Sequence, residues 1–327
     1  MQYLASNWTD PAMNLALEQY VFDTLAQDDD FFMLWRNNNA VIICLHQNTA
    51  DEVNLSYAEQ NDIKIVRRLS GGGAVFHDLG NLNFTFVINA QSAETLDSGR
   101  LTQQIADALS NLGVHTQLSG RNDITIDGCK FSGTASYFRG NRLMHHGTLL
   151  FDTDIEKMSN VLSVSDDKII SKGVASVRNR VTNVRHHLQC SITMDEFWAY
   201  LHERIAYDMQ TYTLTEQDIA AVEVISHERY ASWEWNFGRA PGYSIVKKRR
   251  IPGFGGIRVC MDVIDGKISA FHTYGDYFGD KPCGDVATAL DGVSLTQDAL
   301  RSALSGIDLD EYYRDLAIEE FIMLVIS

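Results

Sequence analysis

The stretch from Ile63 to Ile88, IKIVRRLSGGGAVFHDLGNLNFTFVI, decides the fold, because its triplet Gly71-Gly72-Gly73 sits between two strand-like runs. A Walker-type phosphate loop would continue into Gly-Lys-Ser/Thr, and a dinucleotide fingerprint would open a helix directly after its glycines. Neither follows here. Beyond Ala74-Val75-Phe76-His77-Asp78 comes NLNFTFVIN, in which Leu82, Phe84, Phe86 and Ile88 alternate with polar or small residues. That period of two predicts a strand with one buried face. The order strand, glycine loop, strand argues for a mixed α+β fold over a doubly wound sheet.

Outward from this segment, Thr9-Asp10-Pro11 predicts a capped helix, and Met13, Leu17, Tyr20, Val21 and Leu25 recur at helical spacing. FFMLWR and AVIICL are strand-like runs flanking Asn37-Asn38-Asn39, a short helix is expected near Tyr57, and IKIVRR is the strand entering the loop. A helix over about residues 101 to 112 precedes a segment whose turn dipeptides, Asp127-Gly128 and Gly140-Asn141, predict hairpins. Residues 195 to 209 and 215 to 231 have helical periodicity. The run GRAPGYSIVKKRRIPGFGG concentrates glycine, proline and charge and reads as a hinge-like connection. Domains over 1–245 and 250–327 are therefore expected, the second with two strands around Asp265-Gly266 and helices from about Thr296 to Leu324.

The 327 residues exceed one usual domain, and a 45% hydrophobic content suffices for a packed core. A net charge of −16 argues against a dedicated nucleic-acid binder, since phosphate affinity needs a dominant basic face. The charge is segregated: Lys168, Lys172, Arg178, Arg180 and Arg185 form a run without acid, whereas residues 251–327 carry 13 acidic against 5 basic residues. Cys44, Cys129, Cys190, Cys260 and Cys283 are scattered and support neither a disulfide framework nor a zinc cluster. No cationic leader precedes an apolar run and FIMLVIS is too short for a bilayer, so a cytoplasmic protein without membrane attachment is expected.

Three clusters bear chemistry. Arg67, Arg68 and the glycine triplet could direct N–H groups and two positive forks at an anion; the plainer alternative is a tight hairpin with a solvated arginine pair. Gly120-Arg121-Asn122-Asp123 followed by Gly128-Cys129-Lys130-Phe131-Ser132-Gly133 puts a lysine on a strand between glycines, where it could neutralise two anions that must meet, or simply face solvent. His145 and His146 are adjacent on a strand and so point to opposite faces, which leaves at most one for a site.

Taken together, RRLSGGGAVFHDLGN, GRNDITIDGCKFSG, HHGTLL, KGVASVRNRVTN and SWEWNFGRAP closely resemble the lipoate-protein ligase family, in its order and over almost the whole chain. The resemblance implies a large domain related to biotin ligases and class II aminoacyl-tRNA synthetases, with a small α+β C-terminal accessory domain. It implies activation of lipoate by ATP and Mg²⁺ to lipoyl-AMP, then transfer to a carrier lysine. The carriers would be lipoyl domains of 2-oxoacid dehydrogenase acyltransferase subunits or the glycine cleavage H protein, with no nucleic acid involved.

Carried over by motif, Lys130 is the catalytic lysine touching both lipoate and nucleotide. Arg68, Gly73, Ala74, Val75 and Phe76 fall on the ATP-binding positions, joined by Asn122 and Asp123, with Asp123 also the Mg²⁺ contact. Gly72, His77 and His146 fall on the lipoate pocket. Lys172, Arg178 and Arg180 are either a solvated face or triphosphate contacts.

The chain departs from the family at Cys44-Leu45-His46-Gln47-Asn48, where relatives carry glycine and a basic residue. The lost charge bears on how the intermediate or an acidic carrier is held. One alternative is an octanoyl transferase working through a cysteine thioester without ATP, which would need a cysteine near the lysine. Cys129 points away from Lys130 along its strand, and Cys283 lies in the accessory domain. A second is a non-catalytic lipoate-binding protein. A biotin ligase is disfavoured because no GRGRxG-like loop is present.

Overall fold

The structure, a computed structural model, describes every residue except 28, 90–97, 120–121, 163–179, 238–244, 265 and 327. Strand β1 (Gln2–Ala5) leads into helix α1 (Pro11–Asp23). The Asp10 carboxylate accepts the Ala12 and Met13 amides at 2.9 and 3.1 Å, and Pro11 occupies the first turn, as the sequence predicts. The strand-like runs become β2 (Phe31–Trp35) and β3 (Ala40–Ile43), and short helices α2 (Thr49–Glu52) and α3 (Leu55–Gln60) return the chain to β4 (Lys64–Arg67). After the glycine loop come β5 (Val75–His77), β6 (Asn81–Asn89), α4 (Ser98–Asn111) and β7 (Gln117–Ser119). Strands β8 (Asp123–Ile126), β9 (Cys129–Arg139) and β10 (Arg142–Leu150) form the expected hairpins. Asp127, Gly128 and Gly140 supply φ of 50°, 78° and 64° at their turns. Helices α5 (Ile155–Val161) and α6 (Met194–Ile205), strand β11 (Gln210–Thr211), then α7 (Glu216–Ile225) and α8 (Trp233–Phe237) complete this part.

Eight strands form one sheet, β11-β1-β2-β6-β10-β9-β8-β7, and β4-β3-β5 form a second. Although neighbours in sequence, β2 and β3 do not pair: β2 lies between β1 and β6, and β3 between β4 and β5. The single buried face expected for β6 is a misreading, since both faces are buried from Asn81 to Val87. Leu82, Phe84 and Phe86 pack with residues of α4 and α6, and Thr85 and Val87 are covered by α1, which is wedged between the two sheets. Each fully buried Phe contributes roughly 1.5–3 kcal/mol, so this floor is rigid.

The C-terminal part is α+β. Strands β12 (Ile245–Ile251), β13 (Gly255–Ile264) and β14 (Lys267–Gly275) form an antiparallel sheet backed by α9 (Gly284–Leu290), α10 (Gln297–Leu304) and α11 (Ile318–Ile326). Val259, Leu290, Leu300 and Phe321 belong to a core of its own. Residues 245–256, read as a hinge, are instead a β-hairpin, while 238–244 lie outside the described residues. Lys248 and Arg249 are exposed on an edge strand, where charge blocks pairing with other chains and gives the composition of a solvated linker. The small domain docks through a Gly275 amide to His46 carbonyl bond of 2.9 Å, the Arg258–Asp51 ion pair, and His46 stacked on Tyr277 at 4.7 Å. Among the described residues no helix is long and apolar enough to cross a membrane.

Candidate active site

Arg67 is the last residue of β4 and Arg68 the first beyond it, and their guanidiniums reach different surroundings. Arg67 is 1% exposed and donates to the carbonyls of Cys44 (2.7 Å), Gln47 (2.6 Å), Trp235 (2.9 Å) and Asn236 (3.1 Å), and to Thr49 Oγ1 (3.1 Å). It ties the 44–49 turn to α8, which corrects the reading of two arginines as a fork for a ligand. Arg68 does reach a cavity wall, yet it is buried and bonds Ser70 Oγ, the Gly71 carbonyl and the Gly73 carbonyl at 2.9, 2.6 and 2.9 Å. Its guanidinium shapes the loop. Leu45, at the departure from the family pattern, is buried.

Side chain by side chain, the glycines have different duties. A Cβ on Gly71 would stand 2.7 Å from the Tyr277 carbonyl, and Gly72 adopts φ 98°, whereas a Cβ on Gly73 would meet nothing within 4 Å. Only the space beyond Gly73 is left for a ligand.

Strand β10 sends its histidines to opposite faces, as expected. His145 bonds Thr102 and Ser136 at 2.9 Å each beneath α4, and burial pushes its pKa down to about 3. His146 faces the cavity side: Nδ1 meets Glu18 Oε1 at 2.8 Å and Nε2 meets Ser70 Oγ at 2.6 Å. Glu18, buried on α1, thus supports Arg68 through His146 and Ser70. Nothing in the sequence marks Glu18 until β10 is placed opposite it. Asn37 Nδ2 lies 3.1 Å from His77 Nδ1, leaving a buried Nε2 without a partner in the cavity wall. Burial, then the Arg68 charge, pushes the His77 pKa down to about 3, so it is neutral at pH 7. Asn83 Nδ2 is a second such orphan, also missed in the sequence.

On β9, Lys130 Nζ lies 2.6 Å from Asp123 Oδ1 of β8. A Cβ at Gly133 would come within 2.8 Å of that ammonium, so the glycine makes room for it. Asn122 Nδ2 donates to the Thr134 carbonyl at 3.2 Å. Lys168, Lys172 and Arg178 lie outside the described residues, but Val181 bridges to Lys130 and Arg180 lines the larger cavity.

Two cavities meet at these side chains. A narrow one of about 110 Å³ is lined by Leu15, Trp35, Ile42, His77 and Asn83 between the sheets, and a larger one of about 740 Å³ opens toward the small domain. Gly72, Gly73, Ala74, Val75, Asn122 and Lys130 line both. Arg68, His77 and His146 face the narrow one, Phe76 and Asp123 the larger. Arg68, Gly72 to His77, Asn122, Asp123, Lys130, His146 and Arg180 therefore line one or both of two adjoining cavities, whereas Arg67 lines neither. The arrangement suits a ligand with an apolar tail and an anionic head that meets a second anion at Lys130.

Gly73→Val is expected to leave the fold intact and abolish nucleotide binding, because a β-branched side chain would enter the cavity rather than the protein. Gly71→Ala, in contrast, should lower the melting temperature by forcing Tyr277 away. Calorimetric titration with ATP alongside thermal melts separates the two, and unchanged affinity in Gly73→Val would make the loop a mere hairpin.

Residues 10–206 match the lipoyl protein ligase A/B catalytic domain and residues 240–325 the bacterial lipoate protein ligase C-terminus. Lipoate-protein ligase LplJ of Bacillus subtilis is 38% identical over 98% of both chains. A solved structure of lipoate-protein ligase A bound with ATP is 26% identical, with a TM-score of 0.62 over 73% of this chain and all of that one. The archaeal lipoylation system of Thermoplasma acidophilum, described as a bipartite lipoate protein ligase and its E2 lipoyl domain, is 28% identical, with a TM-score of 0.65 over 75% of this chain and 98% of that one. With both halves matched, and a relative this similar along nearly its whole length, the chain belongs to the lipoate-protein ligase family.

Proposed function

We propose that the protein uses ATP to activate lipoate as lipoyl-AMP and then transfers the lipoyl group to a lysine of a carrier domain. The observation that carries this reading is Lys130 at the junction of a narrow slot that reaches Leu15, Trp35 and Ile42 and a larger cavity that holds Asp123, Arg180 and Arg250, beside a loop that leaves one glycine open. In the first step two anions must approach, the lipoate carboxylate and the α-phosphate, and an ammonium between them offsets their repulsion. Positioning and electrostatics then account for the catalysis, as no side chain needs to bond covalently to substrate. Gly72, His77 and His146 would wall the lipoate end and residues 73–76, with Asn122 and Asp123, the nucleotide end, while Arg68, bonded to the Gly71 and Gly73 carbonyls from the side of the narrow cavity, would hold the loop between them.

Magnesium is commonly held by one or two carboxylates together with substrate phosphates. Asp123, a carboxylate on the larger cavity, fits that role. Among the described residues no three potential ligands converge, so phosphate oxygens and water would supply the rest. The carriers would be lipoyl domains of 2-oxoacid dehydrogenase acyltransferases or the glycine cleavage H protein, in keeping with the E2 lipoyl domain of the archaeal system. The protein would carry out this reaction in the cytoplasm, in keeping with its scattered cysteines, which form no paired motif.

The thioester reading has no geometric support: all five cysteines are described, and none lines either cavity. Burial pushes the Cys44 thiol up to about 11, far from a thiolate at neutral pH. The test is mass spectrometry of an apo lipoyl domain incubated with the protein, lipoate, ATP and Mg²⁺, where a gain of one lipoyl group is expected. The Cys129→Ser, Cys283→Ser double variant should give the same product. Loss of transfer in that variant, with an acyl group trapped on either cysteine of the parent, would favour the octanoyl transferase.

A further inference from the structure

The larger cavity is closed on one side by the β12–β13 hairpin, which brings Arg250, Pro252 and Phe254 of the small domain to the same space as Lys130, Asn122 and Gly73. Arg250 Nη1 lies 3.3 Å from Asp276 Oδ2, a loose single contact, and the side chain is 31% exposed. The other Asp276 oxygen is already occupied by the Gly256 amide at 2.5 Å, so Asp276 is held by the hairpin and Arg250 is only lightly tethered to it. Guanidinium carries five N–H donors in a planar fork matched to phosphate oxygens, and this contact uses few of them.

We infer that Arg250 is a catalytic residue for the adenylation half-reaction alone, contacting the β- and γ-phosphates and the pyrophosphate that leaves. The inference rests on the ATP-dependent reading above. In that step a carboxylate oxygen of lipoate forms a bond to the α-phosphorus, and the bond from that phosphorus to the oxygen bridging toward the β-phosphorus breaks. The electron pair departs on the bridging oxygen with pyrophosphate, and no proton is transferred. Lys130, at the mouth of the narrow slot, is placed for the carboxylate and α-phosphate. The leaving group extends away from the slot into the larger cavity, where negative charge grows and where the hairpin supplies Arg250. In the second half-reaction the carrier amine attacks the acyl carbon and AMP leaves; no pyrophosphate is present, so Arg250 has nothing to bind.

The test uses the full chain. Arg250→Ala should slow lipoate-dependent ATP–pyrophosphate exchange by about 100-fold, the usual effect of losing one preorganised charge contact. Transfer from supplied lipoyl-AMP to an apo lipoyl domain should stay at the parental rate. Calorimetry should show affinity for inorganic pyrophosphate weakened by about tenfold or more, as for one lost charge-assisted bond, with lipoate affinity unchanged. Arg258→Ala controls for docking, since Arg258 pairs with Asp51 across the domains without lining this cavity. Parental exchange in Arg250→Ala, equal loss of both half-reactions, or an equal defect in Arg258→Ala would each overturn the assignment. If the parent itself showed no lipoate-dependent exchange, the ATP-dependent reading would fall and this assignment with it, whatever Arg250→Ala did.

Discussion

Lys130→Ala should lower lipoyl-adenylate formation by about 100- to 1000-fold while the protein folds normally, the range seen when a preorganised electrostatic contact is removed. The substitution takes away the one ammonium that, among the described residues, lines both cavities. It also leaves the Asp123 carboxylate, formerly 2.6 Å from it, as uncompensated negative charge where two further anions must meet. Stability should hardly change, because the pair is about a third exposed on each side, 37% and 32%, and exposed pairs contribute about 0–1 kcal/mol. Adenylate formation followed chromatographically, beside a thermal melt, checks both halves of the statement. A parental rate would remove Lys130 from the chemistry.

The second large effect is on stability. Arg67→Ala should destabilise the protein by at least about 3 kcal/mol, since each buried acceptor left without a donor costs about 1–3 kcal/mol and this guanidinium serves several. Cys44 and Gln47 on one side, and Trp235 and Asn236 on the other, would lose a shared partner inside a packed region. Arg67→Lys should restore little, as a compact ammonium on a flexible stem cannot span both groups. Denaturant unfolding measures the change. A variant of parental stability with weakened ATP binding would return Arg67 to the role of a ligand fork.

These two residues show what the sequence makes legible. The glycine triplet, the lysine between glycines and the paired histidines carry local signals, and Gly72, Gly73, Lys130 and His146 from them reach the site. Arg67 and Arg68 look alike in sequence; their difference arises from acceptors that α8 and the 44–49 turn bring from far along the chain. Strand β6 has the alternation of a half-exposed strand, and its second face becomes interior because α1 is inserted there. Arg250 stayed hidden because the charge that protects an edge strand is the charge that marks a linker.

Of the three glycines, the first is held by the neighbouring domain. The Tyr277 carbonyl occupies the place a side chain on Gly71 would need, and the Gly72 amide donates to the same oxygen at 3.4 Å. The loop that borders the ligand space is therefore also the floor on which the small domain rests. Two equilibria share one short run of backbone, and thermodynamic reciprocity binds them: by whatever factor docking tightens the hold on a ligand at this loop, the ligand tightens docking by the same factor.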